Sequence, residues 1–392
     1  MDGVPFMGAP QTSPILAHMS VSAAPVAAQP ARLVALDVFR GLTMAAMVIV
    51  NNPGDWGQVY APLLHADWHG WTPTDLVFPF FLFIVGVSIT LSRKTASWAG
   101  IARRSAIIFA LGLLLNAFPR FDLETLRIPG VLQRIAVCYA AAAAIYRLSS
   151  GTRRRQGLLL AALAGGLATA YWLIMALVPP PGGAAGDLSP EGNLAAWLDR
   201  TLLAGHIYRP HYDPEGVLST VPAITTTLLG VVAGLWLQSA VPPARRVTGL
   251  VAAGFAGVLA GYAWHLVFPI NKALWTSSYV ALTAGLASLL LAACYWAIDV
   301  RGWRWWTRPF VILGVNAITL YLLSGLLADT LGLVRVTTDE GRTLSLGGWL
   351  YATFFAPLAA PKNASLLYAF AHLALLFAVL AWMYGRRLFV RV

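Results

Sequence analysis

The chain has 392 residues, of which 58% are hydrophobic and only 11% are charged, and its formal net charge is +11. This composition excludes an ordinary soluble enzyme, in which roughly 25% of the residues would be charged. A basic protein can bind nucleic acid, but here the basic residues cluster in short loops between long apolar segments. We therefore predict an all-α, polytopic membrane protein that lies in lipid and does not bind nucleic acid.

The predicted elements begin with a segment at 1–31 that is rich in Ala, Pro, Ser and Gln, which we expect to be a disordered cytoplasmic tail. The remainder, 32–392, is predicted to be a single transmembrane domain of about ten helices, because a bilayer-spanning helix needs roughly 20 mostly apolar residues. The candidate segments lie at about 33–50, 76–92, 105–118, 128–146, 157–178, 220–238, 247–268, 275–297, 309–328 and 365–384. Shorter helices are predicted at 194–204 and within 345–361.

The loops between the predicted helices alternate in charge. Arginine clusters occupy every second connection, at 93–104, 147–155, 245–246, 301–308 and 386–391. The connections between them carry acidic residues. Basic loops stay in the cytoplasm, so both termini are predicted to be cytoplasmic and the loop at 51–75 to lie on the far side.

The far-side loop at 51–75, NNPGDWGQVYAPLLHADWHGWTPTD, is dense in polar and aromatic residues between two apolar segments. His65 is its main catalytic candidate, because a neutral imidazole accepts a proton near neutral pH. Asp75 enters the second helix, where a carboxylate can cap the first turn and also orient His65. Asn51 and Asn52 end the first helix at the same depth. The alternative is an interfacial histidine that caps the loop and faces water.

A metal site is the less favoured interpretation of these histidines. His65 and His69 have the spacing of one helical turn, but Gly, Trp, Thr and Pro follow them and disfavour a continuous helix. The cluster HIYRPHYDPE at 206–215 is likewise interrupted by prolines. We therefore predict no metal.

Two arginines lie within or beside predicted membrane helices. Arg40 is near the start of the first helix and could pair with Asp37. Arg134 lies inside the fourth apolar segment. A charge at that depth needs an internal partner, a water-filled cavity or an anionic ligand, so Arg134 is a functional candidate.

Several motifs resemble those of the heparan-α-glucosaminide N-acetyltransferase family. In chain order they are LDVFRG at 36–41, HADWHGWTPTDLVFPFFLFIVG at 65–86, PGVLQR at 129–134, YDPEGVLST at 212–220, PINKALWTSSYV at 269–280 and PFVILGVNAI at 309–318. The resemblance spans about residues 32–385 and implies a transmembrane acyltransferase domain that forms a homodimer. No counterpart of the extra luminal domain of lysosomal members is seen, which suggests a bacterial-type member in the cytoplasmic (inner) membrane.

The family pattern also implies an activity and a set of roles. Acetyl-CoA would bind on the cytoplasmic side as co-substrate, and its acetyl group would pass to the amine of a glucosamine-type sugar on the periplasmic side. The implied catalytic residues are His65, Asn51 and Asp75, and Arg134 would face the CoA. Arg40 and the basic loop residue Arg104 are predicted to help bind it. The predicted sugar-binding residues are Asp213, Glu215, Asn271 and Lys272, although the first two could simply form the turn YDPEG.

These roles fit together physically. CoA is a polyanion that would stay beside the arginines, while its thin pantetheine arm threads between helices. His65 would then take the proton of the acceptor amine, and Asn51 could donate a hydrogen bond to the developing oxyanion. Direct transfer and an acetyl-histidine intermediate both fit. Two rival classes remain: an O-acyltransferase acting on a cell-envelope polysaccharide, and a sugar transporter, which would favour paired broken helices that the sequence does not suggest.

The predicted topology can be tested by cysteine labelling from outside intact cells. Single cysteines introduced at Gln58 and Gly183 should react with a membrane-impermeant maleimide, because both loops are predicted to be periplasmic. A cysteine at Gln156 should react only after the cells are opened. Labelling of the Gln156 site in intact cells would contradict the topology.

Overall fold

The computed structural model of the chain describes residues 33–92, 95, 97–338 and 341–390. The predicted tail at 1–31 lies outside these residues. Thirteen α-helices and one two-stranded antiparallel hairpin make up the regular structure of the described part.

The helices are α1 Val34–Asn51, α2 Val77–Leu91, α3 Trp98–Ala117, α4 Val131–Leu148, α5 Arg153–Leu177, α6 Leu194–Leu202, α7 Thr220–Leu237, α8 Pro243–His265, α9 Ser277–Cys294, α10 Arg308–Val315, α11 Ala317–Leu333, α12 Leu346–Leu350 and α13 Pro361–Gly385. Short 3₁₀ turns lie at Ala61–Leu63 and Pro73–Leu76, and π-helical turns extend α9 and α12 over Tyr295–Val300 and Tyr351–Phe355. The hairpin pairs β1 Arg335–Thr337 with β2 Thr343–Ser345.

Nine helices of the described residues are long and apolar enough to cross a membrane, and the bent pair α10–α11 makes a tenth if it counts as one span. This confirms the predicted all-α, polytopic fold. The short helices α6 and α12 also lie where short helices were predicted. The hairpin was not predicted, because each of its strands has only three residues.

The connections between successive spans form two alternating sets along the chain, which define two faces. The His65 face carries the connections 52–72, 118–130, 178–219, 266–276 and 334–360, and the arginine face carries 149–152, 238–242, 301–307 and the segment 386–390. Hydrogen bonds join the loops of the His65 face: Gly70 N donates to Ile270 O at 2.8 Å, and Ile128 N donates to His206 O at 3.0 Å. That the arginine face is cytoplasmic remains a prediction.

The third helix begins earlier than the sequence predicted. It starts at Trp98, after Ser97 accepts a hydrogen bond from Gly100 N at 3.0 Å as the N-cap. Arg104 therefore lies on α3 and not in a loop, which corrects its predicted placement. Arginine has a high helix propensity, so the polar start of α3 continues the helix although its hydropathy resembles that of a loop.

The helix that follows the His65 loop, α2, is in close contact with α7. A Cβ on Gly86 would lie 2.0 Å from Thr227 O, and one on Gly230 would lie 2.1 Å from Phe83 O. Only glycine allows the two backbones to approach this closely, as is common between membrane helices. The middle of α2, the helix that follows Asp75, is therefore held against α7.

The predicted helix at 309–328 is broken at Asn316. The axes of α10 and α11 differ by 79° at this residue. Asn316 Nδ2 donates to Leu388 O at 3.3 Å, and Asn316 Oδ1 accepts from Val390 N at 3.2 Å. The amide side chain thus ties the segment after α13 to the break, where irregular backbone is tolerated because it is covered by protein.

Candidate active site

Asp75 is the anchor of the His65 loop. It lies in the 3₁₀ turn Pro73–Leu76, and its Oδ2 accepts from Thr72 N at 3.0 Å, Thr72 Oγ1 at 3.2 Å and Ala66 N at 3.1 Å. Thr72 and Asp75 form a capping box, which confirms the predicted capping role of the carboxylate. The Asp75 side chain is only 1% exposed, so nearly all of its hydrogen-bonding capacity is used by protein.

The second carboxylate oxygen of Asp75 contacts His65. His65 Nδ1 lies 2.7 Å from Asp75 Oδ1. A carboxylate only accepts hydrogen bonds, so Nδ1 carries the hydrogen and Nε2 keeps the lone pair. The His65 side chain is 52% exposed, which leaves its ring accessible to a substrate from the His65 face. The structure therefore brings together two of the three residues predicted to be catalytic.

Lys272 completes this cluster from the loop at 266–276. Its Nζ lies 3.4 Å from Asp75 Oδ1, 3.0 Å from His65 Nδ1 and 3.3 Å from His65 Nε2. Burial lowers the pKa of Lys272, while the carboxylates of Asp75 and Glu215 oppose that shift. This pairing could not be predicted from the sequence, since His65 and Lys272 are 207 positions apart.

Asn271 holds the loop that carries Lys272. Its Oδ1 accepts from Leu274 N at 2.8 Å, and its own N–H donates to Thr276 Oγ1 at 3.0 Å. Asn271 is fully buried, and its Nδ2 lies 3.4 Å from Nδ1 of His69. These contacts fasten the 266–276 loop to the His65 loop.

Arg127 is a residue of this face that the sequence analysis missed. Its guanidinium donates to Asp213 from Nε at 2.9 Å and from Nη2 at 2.6 Å, and Nη2 also contacts Glu215 Oε2. It stacks over the ring of Tyr208, 4.7 Å from the centroid. Burial alone would lower the pKa of Arg127, but the two carboxylates together outweigh it and raise that pKa. The available signal was a basic residue two positions before the PGVLQR motif, in a connection that also carries Asp122 and Glu124.

Asp213 and Glu215 differ in how much of each carboxylate is left for a ligand. Asp213 is fully buried, and besides Arg127 it accepts from Tyr208 N at 2.8 Å and Glu215 N at 2.9 Å. This agrees with the turn alternative considered for YDPEG. The Glu215 side chain is 10% exposed, and its carboxylate acts on the Lys272 ammonium.

Arg134 lies one turn into α4, near its His65-face end. It is 2% exposed and donates from Nη2 to Gly216 O at 3.1 Å and to Ser219 Oγ. Its guanidinium lies over the Trp275 ring, 5.1 Å from the centroid. Its Nε and Nη1 have no hydrogen-bond partner among the described residues. Unmade hydrogen bonds at a buried charge are costly and mark a position where a polar ligand would be stabilised.

Arg40 and Arg104 line a different part of the molecule, a cavity of about 390 Å³ between α1, α2, α3, α4 and the α10–α11 break. Arg40 donates to Ser88 Oγ at 2.8 Å and pairs with Asp37 at 3.2 Å, which confirms the predicted contact with Asp37. Arg104 lies over the Tyr139 ring at 4.5 Å, and the Tyr139 hydroxyl has no hydrogen-bond partner among the described residues. Arg134 is not among the residues that line this cavity.

Asn51 is the last residue of α1, and its side chain is exposed on the His65 face. Among the described residues, no hydrogen bond joins it to His65 or Asp75. Its neighbour Asn52 is buried and donates to Val48 O at 2.7 Å and to Ser324 Oγ at 3.2 Å. The end of α1 is therefore fixed by Asn52, and Asn51 faces solvent.

The fold and this cluster describe a polytopic membrane protein with a histidine–carboxylate–lysine site on one face and a basic cavity between the helices. Residues 32–261 match the family model described as heparan-α-glucosaminide N-acetyltransferase, catalytic. The chain belongs to this family, which confirms the resemblance drawn from its motifs.

Two relatives of that name quantify the similarity. The protein from Homo sapiens is 30% identical over 380 residues, which covers 81% of this chain and 56% of the relative. The protein from Mus musculus is 30% identical over 354 residues, which covers 74% of this chain and 53% of the relative. The chain thus spans about half the length of the curated relatives it matches.

The contact between Arg127 and the buried Asp213 should stabilise the His65 face. Arg127→Ala leaves a buried carboxylate without its charged partner, so we expect the free energy of unfolding to fall by about 3 kcal/mol. Unfolding by SDS in mixed micelles measures this. Arg120→Ala, an exposed arginine on the same connection, is the matched control and should change stability by less than about 0.5 kcal/mol. Equal stability of the two variants would contradict the structural role of Arg127.

Proposed function

We propose that this chain is a transmembrane acetyltransferase that moves the acetyl group of acetyl-CoA to the amine of an amino sugar at the His65 face. The single observation that carries the proposal is the exposed imidazole of His65, whose Nδ1 lies 2.7 Å from a buried carboxylate. Family membership and the name of the two relatives support the reaction class.

In this proposal His65 is the general base. A neutral sugar amine attacks the thioester carbon, the C–N bond forms, and the C–S bond breaks to release CoA as a thiolate. Nε2 of His65 takes the proton that the nitrogen loses and returns it to solvent or to the thiolate. Asp75 keeps the hydrogen on Nδ1 and offsets the charge that develops on the ring.

We favour direct transfer over an acetyl-histidine intermediate. The thioester is already activated, and a donor held beside the acceptor gives an intermediate no additional reach. The exposed Asn51 at the end of α1 is proposed to hydrogen-bond the oxyanion that forms on the acetyl carbonyl.

The donor is proposed to enter through the cavity that Arg40 and Arg104 line. Phe81 and Ser88 on α2 both line it, and the seven positions between them amount to about 10 Å at the helical rise of ~1.5 Å per residue, with Ser92 just beyond the helix. Asp75 precedes Phe81 by six positions, about 9 Å by the same measure. The phosphorylated part of acetyl-CoA would lie beside the arginines. Its thin pantetheine arm would then run along α2 and bring the thioester towards His65.

Arg134 is proposed to meet the far end of the donor. Its two unpaired N–H groups lie on the His65-face end of α4 and not in the basic cavity. A pantetheine or acetyl carbonyl suits these donors better than a phosphate, which would have to lose its hydration at that depth.

The acceptor is proposed to lie against Glu215, Asn271 and Lys272, with Asp213 and Arg127 holding Glu215 in place. Carboxylates suit the hydroxyl and ammonium groups of an amino sugar. We further propose that the arginine face is cytoplasmic, that the acceptor site faces the periplasm of a bacterial inner membrane, and that the chain forms a homodimer in lipid. A free or wall-derived glucosamine-type sugar is then the accessible acceptor.

Replacement of His65 tests the reaction. With acetyl-CoA and glucosamine supplied to purified protein in liposomes, His65→Ala should lower the rate of N-acetylglucosamine formation by roughly 10²–10⁴-fold, the usual effect of removing a general base. Binding of acetyl-CoA should persist. His211→Ala, an exposed histidine on the same face, is the matched control and should retain the wild-type rate. Undiminished turnover in His65→Ala would overturn the site.

Replacement of Arg104 tests the donor cavity. Arg104→Ala should raise the KM for acetyl-CoA by roughly tenfold or more and leave the KM for glucosamine unchanged, because a charge-assisted contact contributes about 1.5–3 kcal/mol. Arg103→Ala is the matched control, since Arg103 is the exposed neighbour on the same helix. Identical donor affinity in the two variants would remove Arg104 from the donor site.

A further inference from the structure

Lys272 is placed to act on His65 itself. Its Nζ lies within 3.4 Å of three atoms of the cluster, both ring nitrogens of His65 and Oδ1 of Asp75. Its side chain is 23% exposed, against 52% for His65, so the imidazole faces the solvent more than the ammonium does. A lysine that binds the sugar directly would be expected to point its ammonium into open space instead.

We propose that the ammonium of Lys272 keeps the imidazole of His65 neutral between turnovers, which makes Lys272 a positioning residue that acts through His65. This inference rests on the proposed role of His65 as general base. In this inference the main role of Lys272 is to act on His65, and its proposed contact with the sugar is secondary.

The reason is the charge balance of the cluster. A carboxylate 2.7 Å from an imidazole, taken alone, favours the protonated ring, and a protonated ring cannot accept the proton of an amine. Lys272 supplies a positive charge beside the Asp75 carboxylate. The carboxylate then has a cationic partner without a protonated His65. A second positive charge on the ring would lie about 3 Å from the first, which disfavours it.

The charged groups that face this pair come from separate elements. Asp75 approaches from the 3₁₀ turn before α2, and Glu215 acts on Lys272 from the segment before α7. His69, from the same loop as His65, meets the amide of Asn271 and not the ammonium. Burial lowers the pKa of Lys272, and Asp75 and Glu215 oppose that shift by favouring the charged form that the proposal requires.

The contact between Lys272 and Nε2, at 3.3 Å, is long for a hydrogen bond and lies on the exposed part of the cluster. An incoming amine can replace it while Lys272 stays paired with Asp75 Oδ1. The lone pair of His65 is therefore shielded from protons without being blocked from the substrate.

The test is the dependence of kcat/KM on pH, from about pH 5.5 to 9, with glucosamine as acceptor for every variant so that its own ionisation contributes equally. In Lys272→Met, the acid limb should move to higher pH by about one unit or more, and activity should recover at the alkaline end. Lys272→Arg retains the charge and should keep the limb near its wild-type position.

A chemical rescue covers the case in which Lys272→Met does not fold. Lys272→Cys alkylated with bromoethylamine regains an ammonium, and the native Cys138 and Cys294 are buried. Aminoethylation should move the acid limb of Lys272→Cys back towards the wild-type pH.

Three results would overturn the inference. They are an unmoved acid limb with a raised KM for glucosamine, no effect of aminoethylation on the limb, and activity lost at every pH in a variant that still binds acetyl-CoA. Wild-type turnover in His65→Ala would instead remove the proposed function, so the two failures are distinct.

Discussion

The buried carboxylate of Asp75 is the interaction on which the His65 face depends. It caps the turn that starts α2, holds the His65 ring and meets Lys272, while its own backbone carbonyl accepts from the Tyr279 hydroxyl on α9. A carboxylate taken out of water is costly unless its partners are in place. The loops 52–72 and 266–276 must therefore close around it together, and the same contacts that stabilise the fold fix the candidate base.

Charge is divided between two places in the bundle. The basic cavity lies between α1, α2, α3, α4 and the helix break at Asn316, and the His65 cluster lies beside the turn that starts α2. Phe81 on α2 lines the cavity and Asp75 lies in the 3₁₀ turn just before that helix, while α4 carries Tyr139 of the cavity and Arg134 nearer its His65-face end. In the proposed reaction, this arrangement would let a donor bound at one face serve an acceptor at the other without crossing the membrane itself.

Features that depend on neighbouring residues could be predicted from the sequence, but contacts between distant residues could not. The apolar segments predicted the spans, and the position of Asp75 at the start of the second helix predicted its capping role, because both depend on neighbours in the chain. The contacts of Lys272 with Asp75 and of Arg127 with Asp213 join distant loops, so no local pattern announces them. The break at Asn316 was hidden because an amide within an apolar run looks like one more helical residue.

The most direct measurement of the central claim is a sided transfer experiment in sealed proteoliposomes of known orientation. Acetyl-CoA with a labelled acetyl group is confined to the compartment at the arginine face, and glucosamine to the compartment at the His65 face. Transfer between the two faces predicts labelled N-acetylglucosamine only in the glucosamine compartment, with free CoA retained in the other. Product that forms only when both substrates share one compartment would contradict it.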